Sequence, residues 1–186
     1  REGKFKIKLK KKREFRPGKF TIRIDLIKDG VNYSQEQNFI WGVLAINVNK
    51  SIYLPNEDSF IGMAVLDDEG HMVCDANVTL EITSPLNQKT TLTTAAGDIK
   101  ISPECEVFGV TELPDYFTNY TVAGIGNYTM NLTAVSAEGT RKILDNFEVA
   151  SSVDFDVARQ GPTRIFPVVP YNMTFTIKAN KRYKGI

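Results

Sequence analysis

This chain has little of what most active sites are built from. Its 186 residues hold two cysteines, one tryptophan and one histidine. Two Cys and one His cannot complete a tetrahedral zinc site by themselves. The lone His71 would have to serve any Ser-His-Asp or Cys-His relay, yet no Gly-x-Ser-x-Gly elbow is present. Cys74 is too near on the same strand to face His71 reliably. No apolar run approaches the ~20 residues a membrane-crossing helix requires. Gly124-Ile125-Gly126 lacks a third Gly and lies between strands, so it cannot cradle a phosphate. Initiator Met, signal peptide and targeting tail are all missing, and the chain reads as excised or processed. No constellation supports catalysis, so the expectation is a non-enzymatic protein with no cofactor and no metal.

What is there is a folded, β-patterned chain. A hydrophobic fraction of 42% and a charged fraction of 24% are ordinary for a packed domain and argue against wholesale disorder. The net charge of +1 conceals segregation. Residues 1–19 carry ten Lys/Arg against Glu2 and Glu14, whereas residues 51–120 carry twelve acids against Lys89 and Lys100. Such asymmetry either steers contacts between domains or subunits, or is a solvated strand face beside an acidic surface.

The sequence also repeats itself. Gly18-Lys19-Phe20-Thr21-Ile22-Arg23-Ile24 is echoed 108 residues later by Gly126-Asn127-Tyr128-Thr129-Met130-Asn131-Leu132. Asn38-Phe39-Ile40-Trp41 is echoed at the same interval by Asn146-Phe147-Glu148-Val149. Two copies of one supersecondary unit predict a tandem array of similar domains.

Alternation marks the strands. Lys4 to Lys10 alternates strictly, Arg16-Pro17-Gly18 turns, and Phe20, Ile22, Ile24 and Leu26 resume the pattern. Lys28-Asp29-Gly30 turns again, and Phe39–Ile46 reads as one strand. Further on come a buried strand Phe60–Leu66, a hairpin tip Asp67-Asp68-Glu69-Gly70, and a strand at Val78, Leu80 and Ile82. A loop opens at Pro85, with short strands near Thr90–Thr93, Ile99–Ile101, Tyr120–Val122, Tyr128–Thr133 and Phe147–Val149. Short strands, frequent turns and no helical period predict an all-β, antiparallel β-sandwich. Residues 43–149 form the complete unit. Residues 1–42 read as the last strands of a preceding sandwich, and 150–186, with Phe155, Val157, Met173, Phe175 and Ile177, as the first strands of a following one. Tyr128 is placed either as a tyrosine corner or simply as an inward-facing aromatic. Half-sandwiches would bare apolar faces, so each end is expected to be covered by a chain neighbour, the opposite terminus or another subunit.

Tyr53-Leu54-Pro55-Asn56-Glu57, Phe60–Leu66, Asp68-Glu69-Gly70, Ala76–Ile82 and the Gly126–Thr133 strand resemble immunoglobulin-like modules of the macroglobulin MG2 kind. Asn56 stands where those modules usually have Gly. The resemblance covers about 43–149 and implies an immunoglobulin-like sandwich repeated in large surface or secreted proteins. The thioester run Gly-Cys-Gly-Glu-Gln is not in the sequence, so protease trapping is not implied.

Six Asn-x-Ser/Thr sequons occur, at Asn32, Asn77, Asn119, Asn127, Asn131 and Asn172. About two would arise by chance, which points to a secreted glycoprotein, although exposed strand faces also write Asn-apolar-Thr. In an extracellular setting Cys74 and Cys105 favour a disulfide closing a loop of about 32 residues over two free thiols. His71 reads as an exposed turn residue. Asp67, Asp68, Glu69 and Asp75 offer oxygens to Ca²⁺ but match no known ligand spacing, so they read as a solvated tip. The basic strand with Phe5, Phe15 and Phe20 points its aromatics inward and makes no nucleic-acid platform.

The functional expectation is a structural or adhesive module of an extracellular or cell-surface protein, possessing no membrane-inserted segment and assembling through neighbouring domains, other subunits or strand exchange. The alternative is a domain that binds a glycan or protein with loops at one end, drawing on Phe108, Tyr116 and Phe117.

Overall fold

A computed structural model describes residues 18–28, 30–106, 113–161, 170 and 172–180. The alternating segment 4–10, the aromatic residues Phe5, Phe15 and Phe108, and Arg16-Pro17 lie outside these. Within them there are only strands, turns and irregular segments. No helix among the described residues is long and apolar enough to cross a membrane.

β1 (Gly18–Lys28) and β2 (Val31–Trp41) form an antiparallel hairpin with Gly18 opposite Trp41. The sequence pattern ran Phe39–Ile46 together as one strand; the structure divides it. Gly42 adopts φ = 66°, a left-handed conformation that glycine takes at no steric cost, and β3 (Leu44–Val48) starts only after it.

β3 opens a sandwich that continues through β4 (Ile52–Tyr53), β5 (Asp58–Val65), β6 (Asn77–Thr83), β7 (Lys89–Thr93), β8 (Lys100–Ile101), β9 (Tyr116–Thr121), β10 (Gly126–Ser136) and β11 (Gly139–Val149). One sheet has the order β3-β5-β9-β8 and the other β4-β11-β10-β6-β7. Every pairing is antiparallel except the short parallel contact of β4 with β11. Leu44, Ile46, Ile61 and Met63 from the first sheet share one buried core with Leu80, Ile82, Tyr128, Met130, Leu132 and Phe147 from the second. Burying side chains of this size contributes roughly 1.5–3 kcal/mol each, so this core is the chain's principal source of stability.

Phe60 departs from the expected buried strand. It is 38% exposed because it points outward from β5, where its ring stacks on that of Phe117 at 6.0 Å. β10 and β11 are also longer than their apolar residues indicate, and they meet in a two-residue turn at Ala137-Glu138.

The two hairpins that carry the sequence echo have the same register. Gly126 lies opposite Val149 as Gly18 lies opposite Trp41, and each hairpin joins two 11-residue strands. Every paired position of one maps onto the other at the 108-residue interval, including Phe20–Phe39 onto Tyr128–Phe147.

The chain then leaves the sandwich for a last hairpin, β12 (Phe155–Gln160) with β13 (Thr174–Ala179). Phe155 and Val157 were expected to point into a core. In the structure they are 42% and 44% exposed, and among the described residues β12 and β13 form a two-stranded sheet of their own.

Tyr128 fills both of its candidate roles. Its ring is buried, and its hydroxyl accepts hydrogen bonds from the amides of Gly124 (2.9 Å) and Ala123 (3.3 Å), tying down the β9–β10 corner. Gly126 begins β10 at φ = 132°, and a Cβ there would sit 2.8 Å from Pro85 Cγ. Gly126→Ala is therefore expected to destabilise by about 2–3 kcal/mol, combining backbone strain with a clash against a ring that cannot swing aside. The denaturant midpoint measures this loss, and an unchanged midpoint would contradict the packing described.

Candidate functional site

At the end of the sandwich where β2 enters, the β5–β6 connection folds back on itself. Asp67 organises its tip. The carboxylate accepts from the amides of His71 (2.7 Å) and Glu69 (3.0 Å) and lies 3.0 Å from His71 Nδ1. Burial alone would raise the Asp67 pKa, but these hydrogen bonds outweigh it and hold the carboxyl below its ordinary value. Asp68 turns the other way and forms an ion pair with Arg141 of β11. Arg141 is nearly buried and also donates to the Leu66 carbonyl. Asp67 and Asp68 are thus engaged with backbone amides, His71 and Arg141. Among the described residues no group of three or more His, Cys, Asp or Glu is arranged to hold a metal ion.

Cys74 and Cys105 form a disulfide with Cα atoms 5.8 Å apart. It packs beside Val43, Leu66 and Met72, a small apolar cluster distinct from the main core. The bridge therefore fastens the β5–β6 connection to the segment after β8 at the end where the chain enters. Tyr116 lies close by but is not the loop aromatic the sequence offered for ligand contact. It is fully buried in β9, accepting from the Ala76 amide (2.9 Å) and donating to the Val73 carbonyl (2.7 Å). Burial pushes its hydroxyl up to about 12. Phe117 faces outward, half-buried against Phe60.

Five sequon asparagines, Asn32, Asn77, Asn119, Asn127 and Asn172, are exposed, and Asn131 is half-buried. Asn77, Asn127 and Asn131 share the outward face of the five-stranded sheet, since Tyr128, Met130, Leu132 and Val78 between them point inward. Asn119 lies opposite Phe60 on the other sheet.

At the exit end, the loop after β3 meets β12. Asn49 Oδ1 accepts from the Tyr53 hydroxyl (2.6 Å) and the Phe60 amide (3.0 Å), while its carbonyl accepts from the Arg159 amide (2.9 Å). Lys50 Nζ lies 3.1 Å from Glu57 and 2.9 Å from Asp156, bridging the sandwich and the last hairpin. Burial lowers the Lys50 pKa, but Asp156 and Glu57 together hold it above the ordinary value. Arg159 also donates to Asn47 Oδ1 at 3.1 Å. Beside these contacts runs a cleft of about 480 Å³ lined by Asn47, Lys50, Ile52, Asn146, Phe155 and Phe175, among others. Asn47, Asn49, Lys50, Asp156 and Arg159 were not singled out from the sequence, although Tyr53 and Glu57 stand in the run that carries the resemblance. Lys50 and Asp156 are 106 residues apart, and no local pattern links them.

The chain matches no protein-family model and no curated protein.

Two measurements check this geometry. Alkylation without reductant followed by intact-mass analysis is expected to find no labelled thiol. Cys74→Ala with Cys105→Ala should cost about 3–4 kcal/mol on the chain-entropy account of a loop this long. At the junction, Lys50→Met should cost about 1 kcal/mol, because Glu57 and Asp156 would repel without their cation. It should also raise backbone mobility over 155–160 in ¹⁵N relaxation. Because the Lys50 pKa is raised in the fold, its contribution is complete below 10.5 and disappears as pH climbs through the raised value.

Proposed function

We propose that this chain is a non-enzymatic structural or adhesive module of a multidomain extracellular or cell-surface protein, built from tandem immunoglobulin-like β-sandwiches. The observation that carries this reading is the identical register of β1–β2 and β10–β11 at a 108-residue interval. On this reading 1–42 belongs to a preceding unit, 43–149 is one complete unit, and 150–186 belongs to a following one.

Strand order supports the immunoglobulin-like part. Lettered along the chain as A, A′, B, C, C′, D, E, F and G, β3 to β11 give sheets A-B-E-D and A′-G-F-C-C′. That is the arrangement of immunoglobulin-type sandwiches, and the Tyr128 corner at the start of β10 fits the same pattern. The disulfide supports an oxidising, extracellular setting. Short connections support a stiff array. Only Gly42-Val43 separates β2 from β3, and Lys50 and Asn49 clasp β12 beyond the other linker. Neighbouring domains or other subunits are then the natural partners. The ligand-binding alternative loses one of its anchors, because Tyr116 is buried.

Secretory expression in a glycosylating host tests the reading. Glycosidase treatment and peptide mass spectrometry should find glycans at several of Asn32, Asn77, Asn119, Asn127 and Asn172, with Asn131 least occupied because it is half-buried. A glycan on Asn119 would also shield the stacked Phe60 and Phe117. Retention in the cell with reduced cysteines and no glycan would count against an extracellular module.

A further inference from the structure

The outward face of the four-stranded sheet holds a sequon whose neighbours set it apart. β9 alternates Tyr116, Thr118 and Tyr120 inward with Phe117, Asn119 and Thr121 outward. Asn119 lies directly opposite Phe60 of β5, and Phe117 lies opposite Gly62. The Phe60 amide donates to Asn49 Oδ1 and the Phe60 carbonyl accepts from the Asn49 amide, so both point away from β9. Phe60 and Asn119 are therefore a non-hydrogen-bonded pair, the kind in which Cα atoms approach to about 4.5 Å and side chains lie closest. Gly62 has no side chain to stand beside Phe117. The Phe117 ring stacks with that of Phe60, centroids 6.0 Å and planes 23° apart.

Asn119 thus has one aromatic ring across from it and a second two residues earlier, about 6.6 Å back along the strand. On its other side Thr121, the hydroxyl residue of the sequon, donates to Asp58 Oδ1 at 2.6 Å and closes that flank with a polar pair. No other strand-borne sequon has such neighbours. Asn32 lies opposite Ile27, Asn77 opposite Val135, Asn127 opposite Glu148, and Asn131 between Leu144 and Glu81. None of these four has an aromatic residue two positions before it.

We propose that Asn119 carries an N-linked glycan whose first N-acetylglucosamine packs on the Phe60–Phe117 pair, making that sugar part of the outer cover of the sheet. The proposal rests on the extracellular reading above.

The chemistry of the two partners matches. A pyranose ring is amphipathic, with hydroxyls round its rim and axial C–H bonds that leave one face apolar. Those C–H hydrogens are slightly positive and meet the negative face of an aromatic ring. Phe60 is 38% exposed, so a sugar over it removes apolar surface from water. Because the sugar is covalently attached across from Phe60, the contact loses no translational freedom when it forms.

The test is secretion of the 186-residue chain from a host that makes high-mannose glycans, followed by endoglycosidase H, which trims each glycan to its first sugar. Peptide mass spectrometry should find Asn119 occupied. Trimmed wild-type chain should unfold with an equilibrium constant about fivefold smaller than trimmed Asn119→Gln, a gap of about 1 kcal/mol. The same two chains made without glycans supply the baseline. In a Phe60→Ala background the gap should all but vanish. Protons of the Asn119 sugar should resonate upfield and show nuclear Overhauser contacts to both rings. Glycans at other sequons with Asn119 bare would overturn the proposal while leaving the extracellular module intact. An occupied Asn119 whose sugar stabilises equally with and without Phe60, or makes no contact with the rings, would overturn it too. A chain retained in the cell with no glycan at any sequon would overturn both. Should Phe60→Ala fold poorly, the ring contacts in the wild-type chain decide alone.

Discussion

The cross-strand pair of Tyr128 and Phe147 is the contact on which the rest of this fold depends. Their rings stack with centroids 5.0 Å apart, Tyr53 meets Phe147 edge-on at 5.3 Å, and Tyr120 meets Tyr128 at 6.2 Å. The cluster joins β4, β9, β10 and β11, so it links the two sheets at the exit end. Each such ring pair contributes about 0.5–1.5 kcal/mol beyond simple burial. Tyr hydroxyls do the rest. Tyr128 fixes the corner before β10, and Tyr53, pushed up to about 12 by burial, donates to Asn49. Asn49 in turn accepts from Arg159 in β12, so aromatic packing inside the sandwich reaches the junction through one asparagine.

Much of this was legible in the sequence. β1, β5, β6 and the opening of β10 follow from alternating apolar residues, and the echo located hairpins whose registers coincide. β11 was harder to read. Its inward positions are Arg141, Ile143, Asp145, Phe147 and Val149, so two charges interrupt the apolar rhythm. Arg141 is tolerated inside because Asp68 and the Leu66 carbonyl satisfy its guanidinium, and both lie across the sandwich. β9 hid for a related reason. Its inward residues Tyr116, Thr118 and Tyr120 all carry hydroxyls, which mimic a polar loop until their partners are seen.

Charge segregation, by contrast, has only a partial structural counterpart. Asp67 and Asp68 are spent on a hairpin tip and on Arg141. The two acids hold the β5–β6 connection in place through these bonds. A carboxylate that accepts two or three short hydrogen bonds is already fully solvated by the protein, and a metal would have to break those bonds to bind.

The two ends of the sandwich are consequently stabilised by different physics. At the entry end a covalent bridge and a nearly buried Arg141 fix the loops over a small apolar cluster. The exit end carries no disulfide among the described residues; there the aromatic cluster joins the sheets, and hydrogen bonds with one shared cation, Lys50, hold the junction with β12. Ion pairs at partly buried positions weaken with salt, whereas a disulfide does not.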